Sequence, residues 1–475
     1  MGAGTANACP NCERLQRQVQ ALEQAVVALT EQVRLLQEKL ACAAKDSSTS
    51  SKPPSSDIVK PPKPEPPPGQ DRRNIGGQPG HPRHQRAAFP EGEVNGGPFD
   101  HLLECCPDCG HAVQPISGPP RVVQQMDVLP PPVVVEEHRG HPAWCPKCLK
   151  VHYAALPAKV EEGGLVGPNL TVLIAYLKGV CHASYSTVRK FLRDVARVTI
   201  SRGQLAKVIA KVSEALAGPY GELLRALPSE PILNVDETGH KDRGQRLWTW
   251  CFRAELYTLF KIDPSRSADV LVEVLGSEFE GVLGCDHFSA YRRYMREFDV
   301  RVQFCLAHLI REVKFLTTLP DYRDVLYGVR LQMTLEGLFG VIHRREQLSE
   351  EAFARRLQEA RQRVLRAGLQ DTGTEHSRRL AKRFKKYGED YFTFITTPGL
   401  EPTNNAAERA IRFVVIDRLV TQGTRSETGQ RFCERIWTVI ATCGQRGWSV
   451  FEYLQEAVRA HFGGGPAPSL LGAQG

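Results

Sequence analysis

The chain has 475 residues, with 61 lysines and arginines against 53 aspartates and glutamates, so it is long enough for several domains and carries a formal charge of +8. No apolar stretch reads as long enough to cross a membrane, and the N-terminus lacks the apolar core of a signal peptide. We therefore expect a cytoplasmic protein with no membrane partner. Its fourteen cysteines should be mostly reduced, so that paired cysteines indicate metal before disulfide.

A heptad repeat marks the N-terminal segment, residues 9–42. Valine occupies the a positions until the last one and leucine occupies every d position: Leu15, Val19, Leu22, Val26, Leu29, Val33, Leu36 and Leu40. This pattern favours a parallel two-stranded coiled coil, and a helix packed on its own chain is the alternative. Cys9 and Cys12 precede the repeat, and a parallel dimer could combine two such pairs into one four-thiolate site.

Residues 43–88 predict a disordered linker, because a serine-rich run is followed by eight prolines between Pro53 and Pro68.

The next segment, residues 89–156, predicts a zinc ribbon. Its two Cys-x-x-Cys pairs favour a tetrahedral structural zinc site, formed by Cys106, Cys109, Cys145 and Cys148. Cys105 is an alternative to Cys106 in this set, and thiols without metal are the alternative interpretation.

Residues 157–228 have a helical pattern, in which Ser201 is a candidate N-cap. Two of the helices could form a helix-turn-helix that reads DNA, although any pair of packed helices gives a similar pattern. Together with the segments below, this region makes the chain a multidomain α+β protein.

Five strands are predicted in residues 229–319, in the order three strands, helix, strand, helix, strand that is typical of an RNase H-like fold. A basic helical insertion, residues 320–395, should follow. Between Ala352 and Lys386 there are eleven lysines and arginines against three acidic residues. The last helix of the core is expected in residues 396–415, then a helical region over residues 416–462 and a disordered tail over residues 463–475.

Three acidic residues stand at informative places in this pattern. Asp236 and Asp286 each follow an apolar strand, and Glu408 lies on the later helix. Strand ends place acids at the rim of a sheet, where a ligand can reach them. Carboxylates are the ligands that magnesium prefers, and clustered carboxylates repel each other unless cations are bound. The spacing therefore predicts one site for two magnesium or manganese ions and for phosphodiester chemistry.

Each of these acids alone could be a helix cap, a turn residue or half of a surface ion pair. Glu237 is a rival ligand beside Asp236, but in a strand it would face the opposite side. Asn404 and Asn405 could cap the helix of Glu408 or contact DNA. His308 could face a phosphate or serve as a packing histidine. Arg409 and Arg412, on the same helix as Glu408, are further candidates for binding DNA.

The chain resembles the DDE transposases of the bacterial insertion sequence sixty-six family over nearly its whole length. The resemblance rests on the N-terminal zipper and on short motifs at residues 76–81, 106–110, 236–238, 286–291 and 404–412. The last of these, Asn-Asn-Ala-Ala-Glu-Arg-Ala-Ile-Arg, is the most specific. The sequence departs from the family around His308 and at Phe413, where relatives commonly have proline.

By this resemblance, Asp236, Asp286 and Glu408 are the catalytic acids that bind magnesium or manganese. It implies a DNA transposase that binds transposon ends, cleaves them and transfers the strand to target DNA. It further implies a dimer or higher synaptic complex and accessory proteins encoded nearby. A transposase-derived DNA-binding protein without activity, and an RNase H-like nuclease that does not join strands, are the alternatives.

Overall fold

The structure is a computed structural model that describes residues 10–46, 133–147 and 149–472, with single positions at 49, 88, 90, 108 and 110–112. It divides into two compact units, the larger formed by Met1–Pro61, Glu137–Arg193 and Val198–Gly475 and the smaller by Pro62–Glu136 and Asp194–Arg197. The sheet and the acidic residues of interest belong to the larger unit. The smaller unit is described at only a few positions. The linker prediction lies almost entirely outside the described residues.

The N-terminal segment forms one helix, α1 (Pro10–Ala43), as the heptad repeat predicts. The eight a and d side chains are between 51% and 70% exposed, which is unusual for a continuous apolar stripe. Near the end of the helix, Glu38 Oε1 lies 2.9 Å from His376 Nε2. Most of the heptad stripe is therefore uncovered in a single chain.

A short antiparallel hairpin follows, formed by β1 (Pro142–Cys145) and β2 (Lys150–Tyr153). Cys145, from the third Cys-x-x-Cys pair of the sequence, is the last residue of β1. Cys9, Cys106, Cys109 and Cys148, together with the side chains of Cys12 and Cys145, lie outside the described residues. The zinc prediction therefore remains a prediction.

Five helices make up the next region: α2 (Ala158–Gly163), α3 (Pro168–Gly179), α4 (Tyr185–Asp194), α5 (Arg202–Ala215) and α6 (Ala217–Ala226). Ser201 caps α5 as expected, because its side chain accepts a hydrogen bond from the backbone N–H of Gln204 at 3.1 Å. The apolar face of α5, with Leu205 and Val212 fully buried, packs against α3 and a later helix, α14 (Glu427–Arg446). Within the described residues, the opposite face of α5, with Ala206, Lys207 and Glu214, is exposed.

All five predicted strands are present. They are β3 (Ile232–Asp242), β4 (Gln245–Arg253), β5 (Thr258–Asp263), β6 (Val282–Cys285) and β7 (Arg301–Phe304). Their order across the sheet is β5-β4-β3-β6-β7, with β3, β4 and β5 antiparallel and β3, β6 and β7 parallel. The helix α7 (Asp269–Leu275) connects β5 to β6, and α8 (Ser289–Phe298) connects the parallel strands β6 and β7. The central strand β3 has a partner on each side.

The helices after the sheet are α9 (Leu306–Leu316), α10 (Tyr322–Ile342), α11 (Glu350–Leu369), α12 (Glu375–Tyr387) and α13 (Asn405–Thr421). α10, α11 and α12 occupy the predicted insertion. α10 is long and apolar enough to span a membrane by length and composition, which the sequence reading did not anticipate. Its residues Leu331, Leu335 and Leu338 are buried, and it packs against α9 and α11. Core helices of soluble proteins can have the same length and apolar composition, so these two properties alone do not make α10 a membrane span.

The C-terminal helix α14 covers the edge of the sheet. Three side chains at steps of four residues, Glu434, Thr438 and Thr442, accept hydrogen bonds from alternate backbone N–H groups of β5, at 2.7, 3.0 and 3.2 Å. A strand edge otherwise leaves these groups unpaired and open to other chains. The helix is therefore part of the sheet domain rather than a separate C-terminal region.

The end of the chain differs from its prediction. The last helix is α15 (Val450–Phe462), and residues 463–472 were expected to be disordered. They instead fold back on the domain, because Leu470 is fully buried and its carbonyl accepts a hydrogen bond from Arg446 at 2.7 Å. The Tyr453 hydroxyl donates to the carbonyl of Pro468 at 2.8 Å. α13 also runs six residues beyond the predicted core boundary at residue 415.

Candidate active site

Asp236 and Asp286 lie on neighbouring parallel strands. The register of β3 and β6 ends at Asn234 opposite Gly284, and two further residues along each chain lead to the two aspartates. Asp286 directly follows β6, as expected. Asp236 does not end its strand, because β3 continues to Asp242 with β4 as its partner. Asp236 therefore lies just beyond the rim of the parallel half and not at the end of a strand.

Gly284 sets the approach of these two strands. A Cβ atom at this position would lie 2.4 Å from Asn234 Oδ1, so no side chain fits without a shift of the backbone or of Asn234. A larger residue would therefore displace the Asn234 side chain or shift β6, the strand that leads to Asp286.

The helix α13, which carries Glu408, docks at this same rim. Asn404, immediately before the helix, donates from its side chain to the carbonyl of Val235 at 2.8 Å and from its backbone N–H to Cys305 Sγ at 3.1 Å. The adjacent Leu306 N–H donates to the carbonyl of Pro402 at 3.0 Å. These contacts tie the start of α13 to β3, one residue from Asp236, and to the end of β7.

This role of Asn404 corrects the sequence interpretation, which offered a helix cap or a DNA contact. Its side chain makes no capping hydrogen bond and is 1% exposed. Burial of an amide favours a partner inside the protein, and the unpaired carbonyl of Val235 supplies one. Asn404 thus positions the helix and has no surface to offer to DNA.

Two side chains of α9 hold Glu408. Arg311 Nη2 donates to Glu408 Oε2 at 3.1 Å, and His308 Nδ1 lies 3.5 Å from Glu408 Oε1. The His308 side chain is 15% exposed. It therefore lies beside the carboxylate in a partly buried position, and contact with Glu408 is its main described interaction.

The electrostatics show that the three predicted acids form one cluster. Burial, followed by the negative charges of Glu237, Asp286 and Glu408, raises the pKa of Asp236 well above its ordinary value. Burial and the charge of Glu237, with a smaller effect of Glu408, raise the pKa of Asp286 to about 7. Burial lowers the pKa of His308, against the opposing effect of Glu408. Without a cation, burial and the neighbouring negative charges therefore favour the protonated forms of these two aspartates.

Glu237, the rival ligand, is fully engaged elsewhere. Its side chain is 1% exposed, and Arg266 donates to its Oε1 from two nitrogens at 2.9 and 2.6 Å. The Tyr291 hydroxyl donates to its other oxygen. In the described part of the chain neither Asp236 nor Asp286 forms a salt bridge with a lysine or arginine. Asp236 is therefore the better candidate for an external cation.

The donor set of this cluster suits a divalent cation. One oxygen of each aspartate accepts a backbone hydrogen bond, from the N–H of Glu237 at 2.9 Å for Asp236 and from that of Phe288 at 2.8 Å for Asp286. Glu408 Oε1 is buried without a hydrogen-bond partner among the described residues. Oxygen donors with raised pKa values and an unpaired buried oxygen are what a bound magnesium ion would satisfy.

The sequence reading missed Cys305. Its thiol and the side chains of His308 and Glu408 place ligand atoms within 4.8 Å of one another, so these three could also contact a metal ion. Cys305 directly follows β7, the third strand of the parallel half, and that position was the available signal. A cleft of about 300 Å³, called the acidic cleft below, is lined by Cys305, His308 and, of the three acids, Asp286. Asp286 therefore borders a space that a ligand could enter.

The remaining predicted DNA-binding residues lie on α13. Arg409 and Arg412 are exposed, and Asn405, the first residue of the helix, is partly buried. The structure thus brings Asp236, Asp286, Glu408 and His308 together, and it leaves the two arginines at the surface of the same helix.

The sequence profile described as Transposase IS66 family matches residues 163–431, more than half of the chain. The match includes all three acids and excludes the heptad segment and the cysteine pairs. No curated protein matches the sequence. The chain belongs to the IS66 family of transposases.

Proposed function

We propose that this protein is a DDE-type DNA transposase that cleaves transposon ends and joins them to target DNA in the cleft of Asp236, Asp286 and Glu408. The observation that carries the proposal is the docking of α13 at the rim of β3, since it brings the third acid to the other two. The strand order and directions support an RNase H-like core. The family supports a role in transposition.

Asp236, Asp286 and Glu408 would hold magnesium or manganese, two ions per site. Such ions, when bound, would compensate the negative charge at the phosphate and stabilise the attacking and leaving oxygens. The protein itself contributes the positioning. Backbone N–H groups orient the two aspartates, and Arg311 and His308 orient Glu408. Preorganised charges of this kind need no rearrangement during the reaction.

The reaction consists of two displacements at phosphorus. In the first, water attacks the phosphodiester at the transposon end, the P–O3′ bond breaks, and a 3′-hydroxyl is released. In the second, this hydroxyl attacks a phosphodiester of target DNA and displaces a new 3′-hydroxyl. A covalent enzyme intermediate is not required in either step.

We further propose that α1 pairs with α1 of a second copy as a parallel coiled coil, so that two ends are held in one complex. The heptad stripe supports this, because its a and d side chains are more than half exposed among the described residues. Light scattering should give a dimer for the full chain, and replacing Leu22 and Leu29 by alanine should shift it toward the monomer. A monomeric wild type would count against the pairing.

Cys106, Cys109, Cys145 and Cys148 are proposed as the ligands of a structural zinc. The protein is proposed to act in the cytoplasm on the bacterial DNA, with accessory transposition proteins as further partners. These statements rest on the sequence and on the family. Zinc content per chain, measured with and without the Cys106→Ser substitution, tests the metal assignment.

The decisive experiment is a strand-transfer assay with magnesium and DNA of the element ends, comparing the wild type with Asp236→Asn. We expect joined products from the wild type and none from the variant. Joining that survives Asp236→Asn would overturn the site assignment. Hydrolysis without joining, with both ends assembled, would favour a nuclease, and DNA binding without either would favour an inactive descendant.

A further inference from the structure

A strongly basic pocket of about 560 Å³ lies next to the acidic cleft. It is formed by α8, which follows Asp286, and by α12 of the helical insertion. Two uncharged groups and six cations line it: His287, Tyr387, Arg292, Arg296, Arg379, Lys382, Arg383 and Lys386. The residues that line the pocket include no carboxylate.

Most of this positive charge is not neutralised within the described part of the chain. Arg383 is paired with Glu312 at 2.6 Å, and Arg379 reaches the same carboxylate at 3.6 Å. The other four cations form no salt bridge among the described residues, and Arg292 Nε is buried there without a hydrogen-bond partner. An isolated buried or clustered cation is costly unless a counter-charge arrives. The pocket is therefore built for an anion.

Two neighbouring groups respond to this positive charge. Burial, and then the charges of Arg383 and Arg292, lower the pKa of His287 to about 3, so this ring is neutral. Burial raises the pKa of Tyr387, but hydrogen bonding to Lys386 and the nearby cations hold it below its ordinary value. His287 therefore adds no positive charge of its own at neutral pH.

The pocket is continuous with the acidic cleft. His287 directly follows Asp286, and His287, Arg379 and Arg383 line both cavities. A linear polyanion could therefore place one phosphate at the acids and neighbouring phosphates in the basic pocket. A single small anion could not contact all four of the cations that have no salt bridge among the described residues.

We propose that the basic pocket between α8 and α12 binds the phosphodiester backbone of DNA beside the phosphate that reacts. This inference rests on the proposed function for the identity of the polyanion, and it gives the helical insertion a role in holding substrate. Arginine and lysine supply the charge and hydrogen bonds that phosphate groups take, without reading base sequence.

The salt dependence of DNA binding tests the pocket. Each phosphate contact contributes about 0.9 to the slope of log affinity against log salt for duplex DNA. The full chain carrying Arg296→Ala, Lys382→Ala and Lys386→Ala should lose up to about 2.7 from this slope, as measured by fluorescence anisotropy with a labelled duplex. These three side chains are exposed, so the variant should keep its thermal stability.

A matched control is available on α11 of the same insertion. Arg355, Arg356 and Arg363 are also exposed and without salt bridges among the described residues, and they do not line the pocket. Their replacement by alanine removes the same charge and should leave the slope nearly unchanged. Equal losses in the two triple variants, or no loss in either, would overturn the proposal.

Two duplexes identify the source of the phosphates. A loss confined to a duplex of the element end assigns the pocket to the end, and equal losses on an unrelated duplex assign it to DNA generally. Asp236→Asn should keep the wild-type slope. If the wild type shows no strand transfer but the triple variant of the pocket still has a smaller salt slope, DNA binding by the pocket is supported and the proposed reaction is contradicted.

Discussion

The acidic cleft and the basic pocket share a wall but are built in opposite ways. Beside the cleft, the fold brings Asp236, Asp286 and Glu408 together from three distant segments, and hydrogen bonds such as that of Asn404 to the Val235 carbonyl fix their positions. The pocket takes its charges from two helices, and four of its six cations are exposed at the surface. The function of the acidic site depends on the exact positions of its carboxylates, whereas that of the basic pocket depends mainly on its total positive charge.

This difference separates two roles that a DNA-processing enzyme requires. The two aspartates, whose pKa values are raised, need a cation and a fixed geometry, so they suit chemistry at one phosphate. Exposed arginines and lysines tolerate small displacements and act on several phosphates, so they suit binding. Substitutions in the two regions should therefore change different measured quantities.

The largest effect should follow loss of an acid. Asp286→Asn should lower cleavage and joining by about 10²–10³-fold or more, the range for removal of one preorganised group that stabilises charge. The affinity for DNA and its salt slope should stay near wild type. Asp299→Asn is the control, because Asp299 is exposed in a left-handed conformation that asparagine accepts. Similar activity losses in both variants would remove the special role of the cleft.

The next effect concerns pH. Metal binding requires deprotonated carboxylates, and the pKa of Asp286 is raised to about 7. Manganese affinity, measured by calorimetry, should therefore rise by up to about tenfold per pH unit below pH 7 for each proton displaced, and level off above it. An affinity that is constant across this interval would contradict the raised pKa.

Loss of a positioning group should have a moderate effect. Asn404→Ala leaves the buried carbonyl of Val235 without its partner and should lower the free energy of unfolding by about 1–3 kcal/mol, measured by denaturant titration. Activity should fall as well, since Glu408 lies on the helix that Asn404 holds. Asn405→Ala, one residue on and partly exposed, should change stability by no more than about 0.5 kcal/mol. Equal effects at both positions would mean that the tie to β3 contributes nothing.

The smallest effect is expected at Arg293, which lies on α8 between Arg292 and Arg296 but points to Glu297 and Asp269. Such exposed ion pairs contribute little to stability, so Arg293→Ala should cost no more than about 1 kcal/mol. The salt slope of DNA binding should not change. If Arg293→Ala reduced the salt slope of DNA binding as much as the pocket variant does, the effect would not be specific to the residues that line the pocket.

Periodicity predicted the five strands and most helices. The position of Asp236 and Asp286 after apolar runs, with Glu408 on a later helix, predicted that these three acids belong together. Three features lay beyond this reasoning because they depend on tertiary contacts. The continuation of β3 to Asp242 depends on the length of β4. The burial of Asn404 depends on a free carbonyl of β3. The packing of Leu470 depends on a surface made by α14.

The basic pocket was only partly visible in the sequence. The excess of lysine and arginine between Ala352 and Lys386 is evident in the sequence, and α12 carries part of that charge. Arg292 and Arg296 come from α8 instead, and only the fold brings them opposite Lys382 and Lys386. Cys305 escaped notice for a similar reason, because its proximity to Glu408 depends on how α13 docks.

The central claim is that Asp236, Asp286 and Glu408 form one cation site, and manganese titration of the zinc-loaded full chain tests it most directly. The account predicts that Asp236→Asn, Asp286→Asn and Glu408→Gln each weaken the same binding event by at least about tenfold. The exposed Glu401→Gln, close to the start of α13, should bind like the wild type. If any one of the three variants keeps wild-type manganese affinity, the three acids do not form a single site.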